Sequence, residues 1–429
     1  MILKTTSQKE LCEVTAREIQ RFIGFDRVMI YRFDSDWNGE VIAEARSRSS
    51  VTSFLGHYFP ATDIPSQARA VLLSNWVRMI PDVGYVPSPI VPTLNPKTHL
   101  PLDLSLAYLR SVSPLHIQYL KNMNVGSSIT ISLIEDGKLW GPIACHNKEP
   151  KLLDTDLRSI CSFIGKQVSS QLRVKIENET KIRQNRAVEI HGHLVESMLQ
   201  EDDLVKGLLN YSPTFLELTQ AHGAALAIHS EGEWSLIGST PTQVQIKHLS
   251  AWLSQYLDLA HSEVFHTNCL PFHFPEATAY RDRAAGLLAV RIPKGKKNFL
   301  LWFRPDITET ISWAGRPNKN IEKMPDGTLK IEPRLSFETW KENVTNYSRP
   351  WSSIEINAAM ELQHSIMAID LRHQFKRVKK SRSLLEQEIK DKKNMFATVS
   401  HDLKNPLSSF KCVNVNIKKL SDLFPMPKR

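Results

Sequence analysis

From Asp154 the chain keeps a helical pattern for about 40 residues, through SICSFIGKQVSSQLRVKIENETKIRQNRAVEIHGHLVESML. At 1.5 Å of rise per residue such a helix is roughly 60 Å long, well beyond the diameter of a small domain. It cannot be packed inside one core, so it has to run from one unit to another. The length of 429 residues points the same way, because a core that large would split into two or three.

Short hairpins occur on both sides of this helix. Before it, RVMIYRFD and EVIAEARS read as strands joined by SDWNG, whose Asn-Gly marks the turn. SSITISLIEDGKLWGPIACHN reads as two apolar strands around Glu135, Asp136 and Gly137. A helix precedes them, with Leu11, Val14, Ile19 and Phe22 near helical spacing. After the long helix, AALAIHSEGEWSLIG turns at Glu231 and Gly232, and GLLAVRIPKGKKNFLLWFRP turns at Lys294 and Gly295. The expected class is α+β, with two related domains, each an antiparallel sheet with flanking helices. Residues 305–340 carry Gly315, Pro317, Pro325, Gly327 and Pro333 and too few core-type residues for a domain, so a protruding arm is expected. From residue 354 the pattern is helical. Leu371, Val378, Leu385 and Val399 recur at multiples of seven, with Phe375, Ile389, Phe396 and Leu403 at companion positions and Arg382 and Lys392 as misfits. Sustained heptads imply a parallel coiled-coil homodimer.

Composition narrows the function classes. Apolar content of 41% and charged content of 23% are those of ordinary soluble protein. No run of about 18 apolar residues and no signal pattern is found, so a cytoplasmic protein without a membrane partner is expected. Cys12, Cys145, Cys161, Cys269 and Cys412 are scattered, which argues for reduced thiols and no metal centre. The net charge is +9, and residues 372–393 hold nine Lys or Arg against three acids. Without interleaved aromatics this reads as a solvated helix face, not a nucleic-acid site.

Residues 59–69, FPATDIPSQAR, are locally the most unusual. Pro60 and Pro65 bracket Asp63 in a rigid, non-helical turn, and a helix is expected from Ser66, read as its N-cap, through QARAVLLSNWVRM. Five prolines between Pro81 and Pro96 then make a surface loop, followed by a helix from about Ser105 that includes Arg110 and a further one from Pro114. Polar residues on otherwise apolar or kinked segments are Tyr31, Asp63, Arg78, Arg110, His116, Ser128, Thr130 and His146. Each alone reads as structural or solvated. Together they suit a buried, elongated dicarboxylate ligand. Two arginines can pair with carboxylates, the histidines and the Asp turn offer donors and acceptors, and Tyr31, Phe59, Tyr119 and Trp140 can form aromatic walls.

YRFDSDWNGEVIAE, FPATDIPSQAR, NWVRMIPDV, LRSVSPLHIQYLKNM and GKLWGPIACHN resemble the bilin-binding GAF domain of phytochromes, particularly the bacterial ones. The second unit resembles the PHY domain, WAGRP and PRLSF its tongue, and FATVSHDLKNPL the phosphoacceptor box of sensor histidine kinases. The resemblance implies a GAF domain at 8–172, a PHY domain at 173–350 with its tongue at 305–340, a signalling helix at 351–394, and the start of a kinase dimerisation region at 395–429. It implies a red/far-red photoreceptor module with biliverdin or a related bilin as cofactor and a response regulator as partner. The turn of Asp63, Ile64 and Pro65 would face the pyrrole N–H groups through the Asp63 carbonyl, while its carboxylate meets Arg334 or Ser336 of the tongue. His116 would sit near the pyrrole nitrogens and His146 at the terminal ring's carbonyl. Arg78, Arg110, Ser128 and Thr130 would hold the propionates, and Tyr31, Phe59 and Tyr119 would enclose the rotating ring. His401 would be the phosphoacceptor, Asp402 its proton acceptor, and Asn405 part of the helix bend at Pro406.

Two departures shape the expectation. Leu115 stands where plant and cyanobacterial relatives carry the bilin-linking cysteine, and the thiol that bacterial relatives carry ahead of a PAS domain has no counterpart here. Non-covalent binding is therefore expected, with Cys12 structural and Cys145 turned away from the face of His146. No ATP-binding domain follows His401, so the chain is expected to act at most as a phosphate acceptor. A degenerate dimerisation scaffold without chromophore is the competing reading. A cyclic-nucleotide GAF domain leaves the FPATDIP turn and the arm unexplained.

Overall fold

The structure, a computed structural model, describes residues 4–49, 51–108, 110–209, 212–228, 234–293, 298–317, 321–323, 329–331 and 333–423; for 212–214, 309, 321–323, 329–331 and 405–423 it describes the backbone alone.

The first domain starts with α1 (Gln8–Ile23), opened by the Ser7 side chain accepting from the Glu10 N–H and closed by Gly24 in the left-handed conformation. Its core face ends on Ile23, while Phe22 is exposed instead of buried as its spacing suggested. Then come β1 (Arg27–Phe33), β2 (Gly39–Arg46), β3 (His57–Phe59), α2 (Ser66–Ser74), β4 (Val77–Ile80), α3 (Pro114–Asn122), β5 (Ser127–Glu135) and β6 (Lys138–Asn147). The β5–β6 turn has Asp136 and Gly137 both at positive φ, as a two-residue hairpin requires. In the β1–β2 turn the left-handed residue is Trp37, not the Asn-Gly pair. Strand alternation divides this sheet into two faces. Val28, Ile30, Ile129, Ile131, Ile143 and Cys145 pack under α1 and the following long helix, while Met29, Tyr31 and Ala144 face the other way with Phe59 and Leu120.

Two helix expectations fail. Pro65, not Ser66, is the N-cap of α2, and no side-chain bond caps it. The helix stops at Ser74 because Val77–Ile80 pairs with β5, so Arg78 lies on a strand. No helix forms from Ser105: the segment before α3 is held irregularly, with Asn75 donating to the Ser105 carbonyl and the Val112 N–H to the Tyr85 hydroxyl.

The long helix is α4 (Thr155–Gln200), 46 residues capped by Asp154. The second domain continues with α5 (Leu204–Leu209), α6 (Ser212–Glu217), β7 (Gly223–Ala227), β8 (Ser235–Gly238), α7 (Gln243–Ala260), β9 (Val264–Thr267), α8 (Leu270–His273), a 3-10 turn (Pro275–Tyr280), α9 (Arg281–Ala284), β10 (Gly286–Arg291) and β11 (Phe299–Arg304). Its sheet runs in the order β8-β7-β11-β10-β9, all antiparallel. The turns at Glu231 and Lys294 lie outside the described residues. One face packs on α4 and the start of the last helix, the other on α7.

The arm contains β12 (Glu309–Ala314), β13 (Ile321–Lys323), β14 (Leu329–Ile331) and β15 (Thr339–Val344), and α10 (Ser353–Leu423) follows it. The arm does not stand free. β12 pairs with β15 and also lies parallel to β3, at Ser312 opposite His57 and Trp313 opposite Tyr58. It therefore extends the first domain's sheet to eight strands, β15-β12-β3-β2-β1-β6-β5-β4. The junction with the arm is parallel, whereas the first domain's own strands pair antiparallel as expected.

Candidate functional site

A cavity of about 830 Å³ opens on the sheet face away from α1 and α4, within the range of sites that enclose a cofactor-sized molecule. The strand register builds its floor. Arg78, Thr130 and Ala144 lie in one cross-strand row on β4, β5 and β6, and Ile80, Ser128 and His146 in the next. Tyr31 on β1 and Phe59 at the end of β3 close one side, with ring centroids 5.2 Å apart. The 59–68 turn, α2, the segment from Arg110 to α3, and arm residues 333–336 supply the rest of the wall.

The Asp63 turn is braced from outside. Its N–H donates to the Pro60 carbonyl, Arg69 reaches the Ile64 carbonyl at 2.6 Å and lies over Trp37, and Asn38 accepts from the Ala61 N–H. The Asp63 carboxylate then meets donors from α3 and from the arm at the cavity's edge. Tyr119 donates to one oxygen at 3.2 Å, and Arg334 of the arm reaches the other at 3.3 Å. Both charged side chains are under a tenth exposed, so solvent screens the pair weakly. Arg334 also donates to the Ala314 carbonyl, and its own carbonyl accepts from Asn122. Ser336 lines the same wall.

On the floor and the α3 side of the cavity, Arg78 and Arg110 have no carboxylate partner among the described residues. Burial, then Arg110, push the Arg78 guanidinium down to about 10. Arg110 donates to the Leu104 carbonyl at 3.5 Å, and its buried Nε has no partner. Uncompensated cations side by side, with Ser128 and Thr130 below them, make a place for an anion.

Further along, His116 stacks on Tyr119, and Tyr119 meets Phe337 of the arm edge-on. Burial, then Arg78, push the His116 imidazole down to about 4, although the ring is exposed along the cavity wall and water there opposes part of that depression. His146 is buried and held well below the ordinary histidine range by burial, by Arg27 and by His116. Burial drives the Tyr31 and Tyr119 hydroxyls well above theirs, so both are neutral donors.

Of the residues expected around the ligand, Tyr31, Phe59, Asp63, Ile64, Pro65, Arg78, Arg110, His116, Tyr119, Ser128, Thr130 and His146 line this cavity, with Arg334 and Ser336. Trp140 does not. It packs on the opposite core, because it is itself the extra residue of a bulge in β6, unpaired between Leu139 opposite Ile134 and Gly141 opposite Leu133, which breaks its alternation with Pro142, Ala144 and His146. Arg27 was missed. It begins the same alternating row as Met29 and Tyr31, and it lies directly opposite His146, so period-two reading of β1 would have found it. Leu115 lines the cavity, and no cysteine of the described residues does. Cys12 and Cys145 are buried in the helix-side core, where burial pushes the Cys12 thiol up to about 12. On α10, His401 and Asp402 are exposed, with Nδ1 of His401 3.5 Å from the Asp402 carboxylate; the Asn405 side chain lies outside the described residues.

Among the described residues no helix is long and apolar enough to cross a membrane. The family model for the GAF domain matches residues 8–172, and that for the phytochrome region matches 187–374. The chain is 42% identical over 405 residues to cyanobacterial phytochrome B of Nostoc sp., covering 94% of this chain and 53% of that protein. It is 33% identical over 403 residues to a bacteriophytochrome of Pseudomonas aeruginosa, covering 91% and 51%. The chain thus spans about half the length of these curated relatives. Among solved structures it matches a bacteriophytochrome of the photosynthetic bacterium R. palustris with TM-score 0.73 and 39% identity, over 86% of this chain and 73% of that one. The photosensory core module of the Stigmatella aurantiaca phytochrome matches with TM-score 0.69 and 40% identity, over 86% and 72%.

Proposed function

The chain belongs to the phytochrome family, and from that premise we propose that its cavity holds an open-chain tetrapyrrole and makes it a red/far-red light sensor module. The observation that carries this is the union, in one enclosure, of the Arg78–Arg110 pair, His116 and His146, and the arm's ion pair with Asp63. The residues fit the group: an orphaned Arg110 Nε and the Arg78 cation suit propionate carboxylates, and the cavity volume suits a molecule of that size. When bound, a bilin supplies visible absorption and a methine double bond that light isomerises. Tyr31, Phe59 and Tyr119 would enclose the moving ring, His116 and the Asp63 carbonyl would meet the pyrrole nitrogens, and His146 would meet the terminal carbonyl.

Biliverdin held non-covalently is the specific ligand we propose for this chain, supported by the absence of cysteine from the described cavity wall. Through the arm and α10 the state of the cavity would be passed to His401, with Asp402 beside it, in a homodimer whose downstream partner is a response regulator. The test is addition of biliverdin to the purified protein. The expected result is a red absorption band that light converts, with no zinc-dependent fluorescent band after denaturing electrophoresis. A fluorescent band would overturn non-covalent binding, and an unchanged biliverdin spectrum would favour the chromophore-free scaffold.

A further inference from the structure

The Arg27 guanidinium is buried between strands at 5% exposure; among the described residues no carboxylate hydrogen-bonds it, and Glu44 acts on it only through its charge. One Nη donates to the Thr52 carbonyl at 3.0 Å, the guanidinium lies 4.5 Å over the Phe54 ring, and the other Nη stands 3.3 Å from Nδ1 of His146. The last contact is fixed by the fold, since Arg27 and His146 are directly opposed residues of β1 and β6. A guanidinium can only donate, so Nδ1 of His146 has to be the accepting nitrogen of the ring. A neutral imidazole that accepts at Nδ1 carries its proton on Nε2. Protonating both nitrogens would place a second buried cation against the first, and His116 is the further basic group on that side.

We infer that Arg27 is a positioning residue of the cavity: it locks His146 as the neutral Nε2–H tautomer, leaving that face of the ring with one fixed N–H donor for a ligand carbonyl. The carbonyl's identity, a terminal lactam of a bilin, rests on the function proposed above, but the tautomer does not. A donor that cannot tautomerise also cannot become an acceptor. The ring would therefore favour the ligand isomer that offers it a carbonyl and disfavour one that offers it an N–H. That asymmetry comes from Arg27 and would be absent from an isolated histidine in the same place.

The experiment is nitrogen NMR on protein labelled with ¹⁵N-histidine and kept free of bilin, with His146 assigned by the resonances lost in His146→Gln. The expected spectrum shows Nε2 protonated and Nδ1 bare, unchanged down to mildly acidic pH. A parent protein with the proton on Nδ1, or with both nitrogens protonated near neutrality, overturns the inference with no variant needed. In Arg27→Met, which keeps bulk and removes every donor, His146 should show mixed tautomers or take up a proton near pH 6. Arg27→Lys should retain the parent pattern in part, because it keeps a donor. An unchanged tautomer in Arg27→Met would show that something other than Arg27 sets it. Bilin is then added to the same samples. Arg27→Met should take it up but photoconvert several-fold less completely than the parent. If the parent takes up none, the proposed function falls, while the ligand-free spectra still decide the role of Arg27.

Discussion

Asp63 and Arg334 are 271 residues apart in sequence and meet at 3.3 Å. Two prolines and the outer brace of Arg69 fix the acid, so the arm has to bring the cation to it. Removing one partner of a buried pair costs about 3–5 kcal/mol, since the other charge is left without its counter-ion. Arg334→Ala should therefore loosen the arm while sparing bilin uptake, read as lost hydrogen-exchange protection at residues 333–344 and a reduced yield of the light state. Parent-like protection and yield would remove this pair from the coupling. His146 gives a second residue-scale expectation, with its sign set by burial. Its folded pKa lies below the unfolded value of about 6.5, so the unfolded chain binds more protons in that window and stability falls as pH falls. The contribution is fully present above about pH 6.5 and is lost below it, by at most roughly 1.4 kcal/mol per pH unit. Urea midpoints at pH 7.5 and 5 should differ more for the parent than for His146→Gln, and equal shifts would contradict a buried neutral imidazole.

At the scale of elements, the arm behaves as an added edge of the first domain's sheet. The junction is short, two residue pairs between β12 and β3, supported by His57 contacting the Thr339 hydroxyl at 2.8 Å and by the Tyr58–Trp313 ring contact. Gly315 makes the crossing possible. Its φ is +82°, and a Cβ there would stand 2.1 Å from the Ser336 carbonyl oxygen. Gly315→Ala should weaken docking of the arm by about 1–3 kcal/mol, seen as faster amide exchange at 311–314 and 339–343; unchanged exchange would mean the crossing has room to spare. The sequence made the hairpins and the pocket residues legible because alternation and turn chemistry are local. Period two alone puts Ser128 with Thr130 and Ala144 with His146 on one face. What stayed hidden was non-local. The helix pattern from Ser66 runs on through Met79, but β5 recruits Val77–Ile80 as a strand. The stretch around Ser105 reads as helical, yet Asn75 and Tyr85 hold it from outside. Nothing in the arm's own residues says that it lies beside β3.

Across the whole molecule, the arm and the last helix share a root. Arg304 ends β11 just before the arm, stacks 3.7 Å over Trp351, and reaches Glu355 in the first turn of α10 at 2.6 Å. From there α10 packs Ala359, Leu362, Ile366 and Ile369 into the second domain's core with Leu194 and Met198 of α4. Beyond Asp370 that cover ends. Leu371, Phe375, Val378, Leu385, Ile389, Phe396, Val399 and Leu403 are all exposed on a single chain, at heptad positions. A seven-residue repeat falls short of two straight-helix turns, so keeping such a stripe buried requires a second helix wound left-handed around the first. A parallel pairing places both copies' domains at one end and brings identical positions together. Leu385 is mid-stripe, and burying both copies is worth about 1.5–3 kcal/mol per side chain. Leu385→Lys should then weaken the dimer by roughly two to four orders of magnitude, so light scattering at tens of micromolar would give a dimer mass for the parent and a monomer mass for the variant. Direction is tested separately. Val378→Cys should form an interchain disulfide under mild oxidation beyond whatever the parent forms, because only parallel, in-register helices bring that position to its own copy. A dimer that resists this crosslink is antiparallel or joined elsewhere, and α10 would then not carry the arm's movement to His401 as a paired stalk.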